Sequence, residues 1–239
     1  MWEEGDRENY NKHVNERLGQ ICNDDFSDDI RQYASDPKNK TFLEIGTWNG
    51  LGSTKAFVEG FAQRARPDSE GFAQRARPTQ EEKEKEDVSD YIFYSLECNA
   101  DKCADAAKLY ADNTRVHILN EVIWNQEPAD FYEVFPQCRT NPTLQRWHEI
   151  DMLNMQKCQV FLDRPEIPPM FDVILLDGGE FTTYYEYQLL KKRCKILMLD
   201  DVNADKCKKI VQEIEADPSW CILKRGDVRG GYLIAERMQ

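Results

Sequence analysis

Three aspartates, Asp177, Asp200 and Asp201, close two apolar runs, FDVILLD and CKILMLDD, and strands buried on both faces read as continuous runs of this kind. If those strands are neighbours, the three carboxylates meet at their carboxyl ends and repel one another unless a cation or a proton intervenes. Oxygen-only ligands select Mg²⁺ or another hard divalent ion. The alternative is that Asp177 contacts a cofactor or substrate directly while Asp200 and Asp201 cap the next helix. His148, in LQRWHEID, is a candidate base, although a lone histidine is more often a surface or packing residue.

The second chemical feature is the glycine turn EIGTWNGLG, with Glu44, Gly46, Gly50 and Gly52. A dinucleotide-binding turn has the spacing G-x-G-x-x-G, its second glycine admitting a pyrophosphate. Here the spacing is G-x-x-x-G-x-G and Trp48 occupies the place of that second glycine, so NAD fits poorly. An acid two positions before the first glycine suits a ligand without a pyrophosphate but with a positively charged amino-acid end, and S-adenosylmethionine is such a ligand.

These residues require a scaffold that brings strand ends together. KTFLEIGTWNGLGSTKAFVEGF reads as strand, tight turn and helix, the helix opened by Ser53 or Thr54. Further strands are expected at residues 91–97, 115–120, 171–177, 194–200, 220–226 and 230–237, with helices at 101–110, 184–192 and 204–216. The expected fold is α/β, a Rossmann-like, doubly wound, seven-stranded sheet. It is mostly parallel, with an antiparallel C-terminal hairpin at its edge and helices on both faces. One domain covers residues 1–239, with a helical lead-in at 1–37. Residues 59–88 read as a surface insertion, in which EGFAQRARP occurs twice, eleven residues apart, each copy carrying a proline that interrupts a helix. Arg64, Arg66, Arg75 and Arg77 offer the alternative of a docking patch there. Residues 121–170 exceed what one crossover needs and are the expected substrate lid.

FLEIGTWNGLGST, SLE, FDVILLDGGEFTTY and ILMLDD, taken in this order, resemble the motifs of the class I S-adenosylmethionine-dependent methyltransferases, in the branch with an E-I-G-T-x-x-G-x-S-T first motif and a D-G-x-H-x-Y-like fourth. The resemblance spans roughly residues 40–237 apart from the insertions. It implies that Glu44, Gly46, Thr47, Gly50 and Ser53, with Trp48 in the same turn, line the methionine end of the cofactor. It also implies that Glu97 accepts hydrogen bonds from both ribose hydroxyls, that Asn120 or Glu121 lies beside the adenine, and that Asp177 reaches the cofactor. Metal-dependent O-methyltransferases of similar type hold a substrate hydroxyl on such an aspartate site and aim its oxygen at the methyl group. The implied activity is O-methylation of a sugar, a glycan or a small metabolite.

The sequence departs from the pattern at Glu180, where a histidine is usual. Glu180 is then a base or a fourth carboxylate ligand, and Tyr184 and Tyr185 are candidates to shape the substrate pocket. The base candidates are therefore Asp177, Glu180 and His148. Two other readings stand beside this one: a glycosyltransferase using a sugar nucleotide, and a non-catalytic cofactor-binding subunit.

A net charge of −13 over 239 residues argues against nucleic acid as a partner, because phosphate-backbone affinity needs clustered Lys and Arg. The expected partner is a small-molecule or glycan acceptor, with self-association into a homo-oligomer left open. No apolar run is long enough to span a bilayer, and the start MWEEGDRENYNKHVNERL is too acidic for a signal peptide. A cytoplasmic location is expected. The eight cysteines (Cys22, Cys98, Cys103, Cys138, Cys158, Cys194, Cys207 and Cys221) form no C-x-x-C pair and read as reduced packing thiols.

Overall fold

The computed structural model describes residues 21–64 and 90–238. The chain enters through helix α1 (Asp25–Ser35), strand β1 (Thr41–Ile45) and helix α2 (Ser53–Arg64), followed by β2 (Ile92–Leu96), α3 (Ala100–Leu109) and β3 (Val116–Leu119). A crossover segment holds β4 (Glu121–Val122), α4 (Phe131–Val134), α5 (Pro142–Met155) and β5 (Gln159–Val160). The rest runs β6 (Phe171–Leu176), α6 (Thr183–Leu190), β7 (Cys194–Asp200), α7 (Asp205–Ala216), β8 (Trp220–Gly226) and β9 (Tyr232–Arg237).

Seven strands form one sheet in the order β3-β2-β1-β6-β7-β9-β8. β3 through β7 are parallel, and β9 is antiparallel to both β7 and β8. This is the doubly wound sheet expected from the sequence, hairpin included. All six residues of β6 are buried, because helices cover both sheet faces at its centre. On one face Phe42, Phe93, Val173 and Met198 pack under Phe26, Ile30, Phe57 and Phe61 of α1 and α2. On the other, Leu43, Leu96, Ile174 and Leu199 pack under Tyr187, Leu190, Ile210 and Ile214 of α6 and α7.

The segment read as an insertion begins later than expected. Its first residues, 59–64, are the last turns of α2, because Phe61 and Arg64 have a place in the core. Arg64 is buried, lies over the Phe42, Phe61 and Tyr91 rings and donates to the Ala34 and Asn39 carbonyls, so it is no part of an exposed patch. Arg66, Arg75, Arg77 and most of the repeat lie outside the described residues, as does most of the lead-in before α1. All eight cysteines are free thiols. No helix among the described residues is long and apolar enough to cross a membrane.

Candidate active site

A cleft of about 680 Å³ opens at the carboxyl ends of β1, β2 and β6. Its floor is the turn after β1, where Gly46 has φ +102° and a Cβ would stand 2.2 Å from the Asp177 carbonyl oxygen. Backbone bonds lock the turn to both neighbours: Gly46 N–H donates to the Leu96 carbonyl at 3.0 Å, and Asp177 N–H donates to the Ile45 carbonyl at 2.9 Å. A glycine is required at this position because only a bare Cα permits both the backbone angle and the approach.

Gly46, Thr47, Trp48 and Ser53 lie on the cleft wall, as does Glu97 just past β2. Glu97 is buried and accepts from the Trp48 N–H and the Asn99 N–H, both at 2.8 Å. Burial raises its pKa, and the two N–H groups oppose that rise. Each carboxylate oxygen still has a lone pair to offer the cleft.

Several sequence-derived assignments fall elsewhere. Glu44 does not line the cleft. β1 is pleated, so Glu44 shares a face with Phe42 and points beneath α2, fully buried, where it accepts hydrogen bonds from Thr54 (2.7 Å) and Ser95. Gly50, with φ +75°, turns away to pack against Ala106 and Tyr110 of α3. Asn120 is exposed and ties the strand ends together, donating to the Glu97 and Cys98 carbonyls, while Glu121 reaches the wall but carries Arg164 on its carboxylate. His148 is no base in this cleft: it is buried on α5, stacked on Phe131 at 3.8 Å, and burial lowers its pKa. Glu180 lies off the wall beside the first turn of α7, and burial raises its pKa against the opposing charge of Lys206. Tyr184 and Tyr185 donate to Glu213 and Asp130 and leave the pocket to others.

The carboxylates of Asp177, Asp200 and Asp201 do converge, with one oxygen of each within 4.8 Å of the others. Two cations are already among them. The Lys206 ammonium, buried in the first turn of α7, lies 3.1 Å from Asp201 Oδ2, 3.4 Å from Asp177 Oδ1 and 3.2 Å from the Gly178 carbonyl. Arg229 holds Asp200 Oδ1 at 2.7 Å and also reaches Asp24. Burial raises the pKa of Asp177, with the Lys206 charge opposing it. Burial also raises that of Asp200, with Asp177 and Asp201 adding to the rise. Burial acts to lower the pKa of Lys206, but the charges of Asp177 and Asp201 outweigh it and raise the lysine's pKa. Oxygen ligands suit a divalent ion, yet an ion between Asp177 and Asp201 would meet the ammonium. The residues as arranged do not fit a metal.

Several wall residues were missed from the sequence, Lys206 among them. Asp151 and Asn154 come from α5, the helix of the expected lid, and Glu186 from α6. Burial pushes Asp151 and Glu186 each up to about 7, and Glu186 Oε2 has no hydrogen-bond partner. Six carboxyl groups therefore line the cleft, from Glu97, Glu121, Asp151, Asp177, Glu186 and Asp201, against the single ammonium of Lys206.

The buried Glu44 provides a test of local electrostatics. Burial pushes its pKa from the ordinary 4.5 up to about 7. Between those values the folded state binds more protons than the unfolded state, so stability falls as pH rises through this window and stays reduced above it. Glu44→Gln is expected to gain about 1–3 kcal/mol over the parent at pH 8 and almost nothing at pH 5. Urea titrations at both pH values read this, and an equal difference at both would refute it.

No family model and no curated protein matches the sequence. Solved structures match at the level of the fold. An O-methyltransferase from Bacillus cereus in complex with S-adenosylhomocysteine aligns over 97% of this chain and 89% of its own, at 14% identity and a TM-score of 0.52. The O-methyltransferase TomG from Streptomyces achromogenes, in complex with S-adenosylmethionine, aligns over 100% and 92%, at 12% identity and a TM-score of 0.53. This chain shares the fold of these methyltransferases. A methyltransferase from Geobacter sulfurreducens shares it over 100% and 92%, at 10% identity and a TM-score of 0.53. In this methyltransferase fold the cleft lies beyond the carboxyl ends of the strands, where open α/β sheets place their ligands.

Proposed function

We infer that the cleft binds S-adenosylmethionine and that the protein transfers its methyl group to a hydroxyl oxygen of a sugar or small metabolite. The observation that carries the reading is the wall itself: Glu97 stands beside the Gly46 turn in a cleft whose carboxyl groups outnumber its cations six to one. Asp151 and Glu186 are raised to about 7 and Glu121 is paired with Arg164, but the wall still carries more acid than base, which favours a sulfonium cation over a diphosphate and speaks against NAD and sugar nucleotides. Glu97 keeps acceptor capacity for vicinal ribose hydroxyls after taking two backbone N–H bonds. Ile150, Asp151, Asn154 and Met155 of α5 line the cleft, and in this reading α5 belongs to the lid that excludes water from the sulfonium.

In the reaction the acceptor oxygen attacks the methyl carbon and the C–S bond breaks. Its electron pair stays on sulfur, and S-adenosylhomocysteine leaves. The hydroxyl proton passes to the Asp177 carboxylate and then to water. Of the three base candidates, Asp177 alone lines the cleft, and its raised pKa makes it a stronger base than a solvated aspartate. Alignment of oxygen, carbon and sulfur supplies most of the acceleration.

Calorimetry with S-adenosylmethionine and S-adenosylhomocysteine, with NAD as control, tests the reading. Both ligands should bind in the micromolar range, NAD should not, and Glu97→Ala should weaken binding about tenfold or more. A folded protein that binds neither sulfur ligand would sink it.

A further inference from the structure

Lys206 is the one cationic side chain on the cleft wall among the described residues, and it is held on three sides. Asp201 Oδ2 stands at 3.1 Å, the Gly178 carbonyl at 3.2 Å and Asp177 Oδ1 at 3.4 Å, while the side chain itself is 7% exposed. A surface lysine loses rotamer freedom for little gain in such a pair, whereas a buried ammonium with three oxygen acceptors is fixed in place. Its oxygen partners are the donor types a hard divalent ion takes, two carboxylates and a carbonyl. The backbone enforces the arrangement. Asp201 has φ +55°, and a Cβ on Gly230 would stand 2.3 Å from its Oδ1, so the glycine before β9 leaves the room this carboxylate occupies. Asp200, the third carboxylate, has its own cation in Arg229.

We propose that Lys206 is the resident cation of this site: its ammonium stands where a divalent ion would otherwise bridge Asp177 and Asp201, and methyl transfer proceeds without a metal. The three N–H donors of the ammonium are all taken by these oxygens, so it keeps the two carboxylates together and fixes Asp177 in place for the acceptor hydroxyl, a positioning role that a metal performs by coordination. The role assigned to the acceptor rests on the methyltransferase reading; the cation assignment does not.

Mn²⁺ binding, followed by electron paramagnetic resonance and calorimetry on the whole chain, decides the assignment without any turnover assay. Wild-type protein should bind no Mn²⁺ in the micromolar range. Lys206→Met, which leaves Asp177 and Asp201 without their cation, should bind it at least tenfold more tightly, and Lys206→Arg should resemble wild type. If Lys206→Met does not fold, Lys206→Gln takes its place, and the wild-type measurement stands on its own. A stoichiometric wild-type Mn²⁺ site abolished by Asp201→Asn would overturn the proposal, as would a folded Lys206→Met or Lys206→Gln protein that gains no Mn²⁺ affinity. With an acceptor in hand, EDTA should change the rate less than twofold, and a rate abolished by EDTA and restored by Mg²⁺ would also overturn it. Binding of S-adenosylmethionine is measured in the same samples, so a failure of the methyltransferase reading shows itself separately.

Discussion

Asp177→Asn is expected to lower kcat by about 10²–10⁴-fold while leaving the affinity for S-adenosylhomocysteine within a few-fold of the parent. The asymmetry follows from geometry. Asp177 stands at the end of β6 with its N–H bound to the Ile45 carbonyl, so an amide of the same shape keeps the turn and the cofactor floor. What it removes is the proton acceptor. It also removes one of the two charges that hold Lys206. The pH profile of kcat/KM should carry an acid limb above the ordinary aspartate range, because burial raises the Asp177 pKa and only the ionised form accepts the proton. Single-turnover rates and calorimetry on the same variant separate the two effects. Loss of cofactor binding in step with kcat would show that Asp177 binds and does not act as the base.

Gly46→Ala is expected to be the most damaging single methyl in the described chain. A side chain at φ +102° is strained, and this one would overlap the Asp177 carbonyl oxygen at 2.2 Å and its carbon at 2.7 Å. Neither atom belongs to a flexible side chain, so β1 and β6 must part at their ends or the turn must be remade. The expected cost is about 3 kcal/mol or more of unfolding free energy. Calorimetry of the folded fraction should show cofactor affinity lost. Urea denaturation with an unchanged midpoint and intact binding would refute the description of the turn.

The scaffold was legible because its physics is local and repeated. Strands such as β6, apolar without interruption from Val173 to Leu176, announce burial on both faces, and the short spacing between β8 and β9 announces a hairpin. The carboxylates at the ends of β6 and β7 follow from that topology alone. Their partners did not. Lys206 sits in a run of charges, DKCKK, which from sequence is a solvated first turn, and only the packing of α7 against the end of β6 buries it. Glu44 was misplaced for a different reason: in a strand apolar on both faces, hydrophobicity carries no record of which way an odd acid points, and the pleat sends this one under α2. His148 lay in a segment whose aromatic residues fit a lid and a packed helix equally well, and Phe131 and Phe181 claim it for packing. Asp151 and Asn154 were invisible because α5 carries no apolar stripe strong enough to show which side faces the cleft.

β9 is later in sequence than every other strand, yet it lies inside the sheet, between β7 and β8. Until it arrives, β7 presents an open edge beside the most apolar part of the core, a template for pairing with another chain. The turn that delivers β9 also delivers Arg229 to Asp200 and Asp24, and Gly230 to Asp201. Sheet closure and charge neutralisation are therefore one event during folding, and it draws together α1, β7 and the hairpin, segments some 200 residues apart in sequence. A chain halted before residue 229 would hold Asp200 without its cation at an unfinished edge, so synthesis of this protein has its most aggregation-exposed moment just before the site is complete.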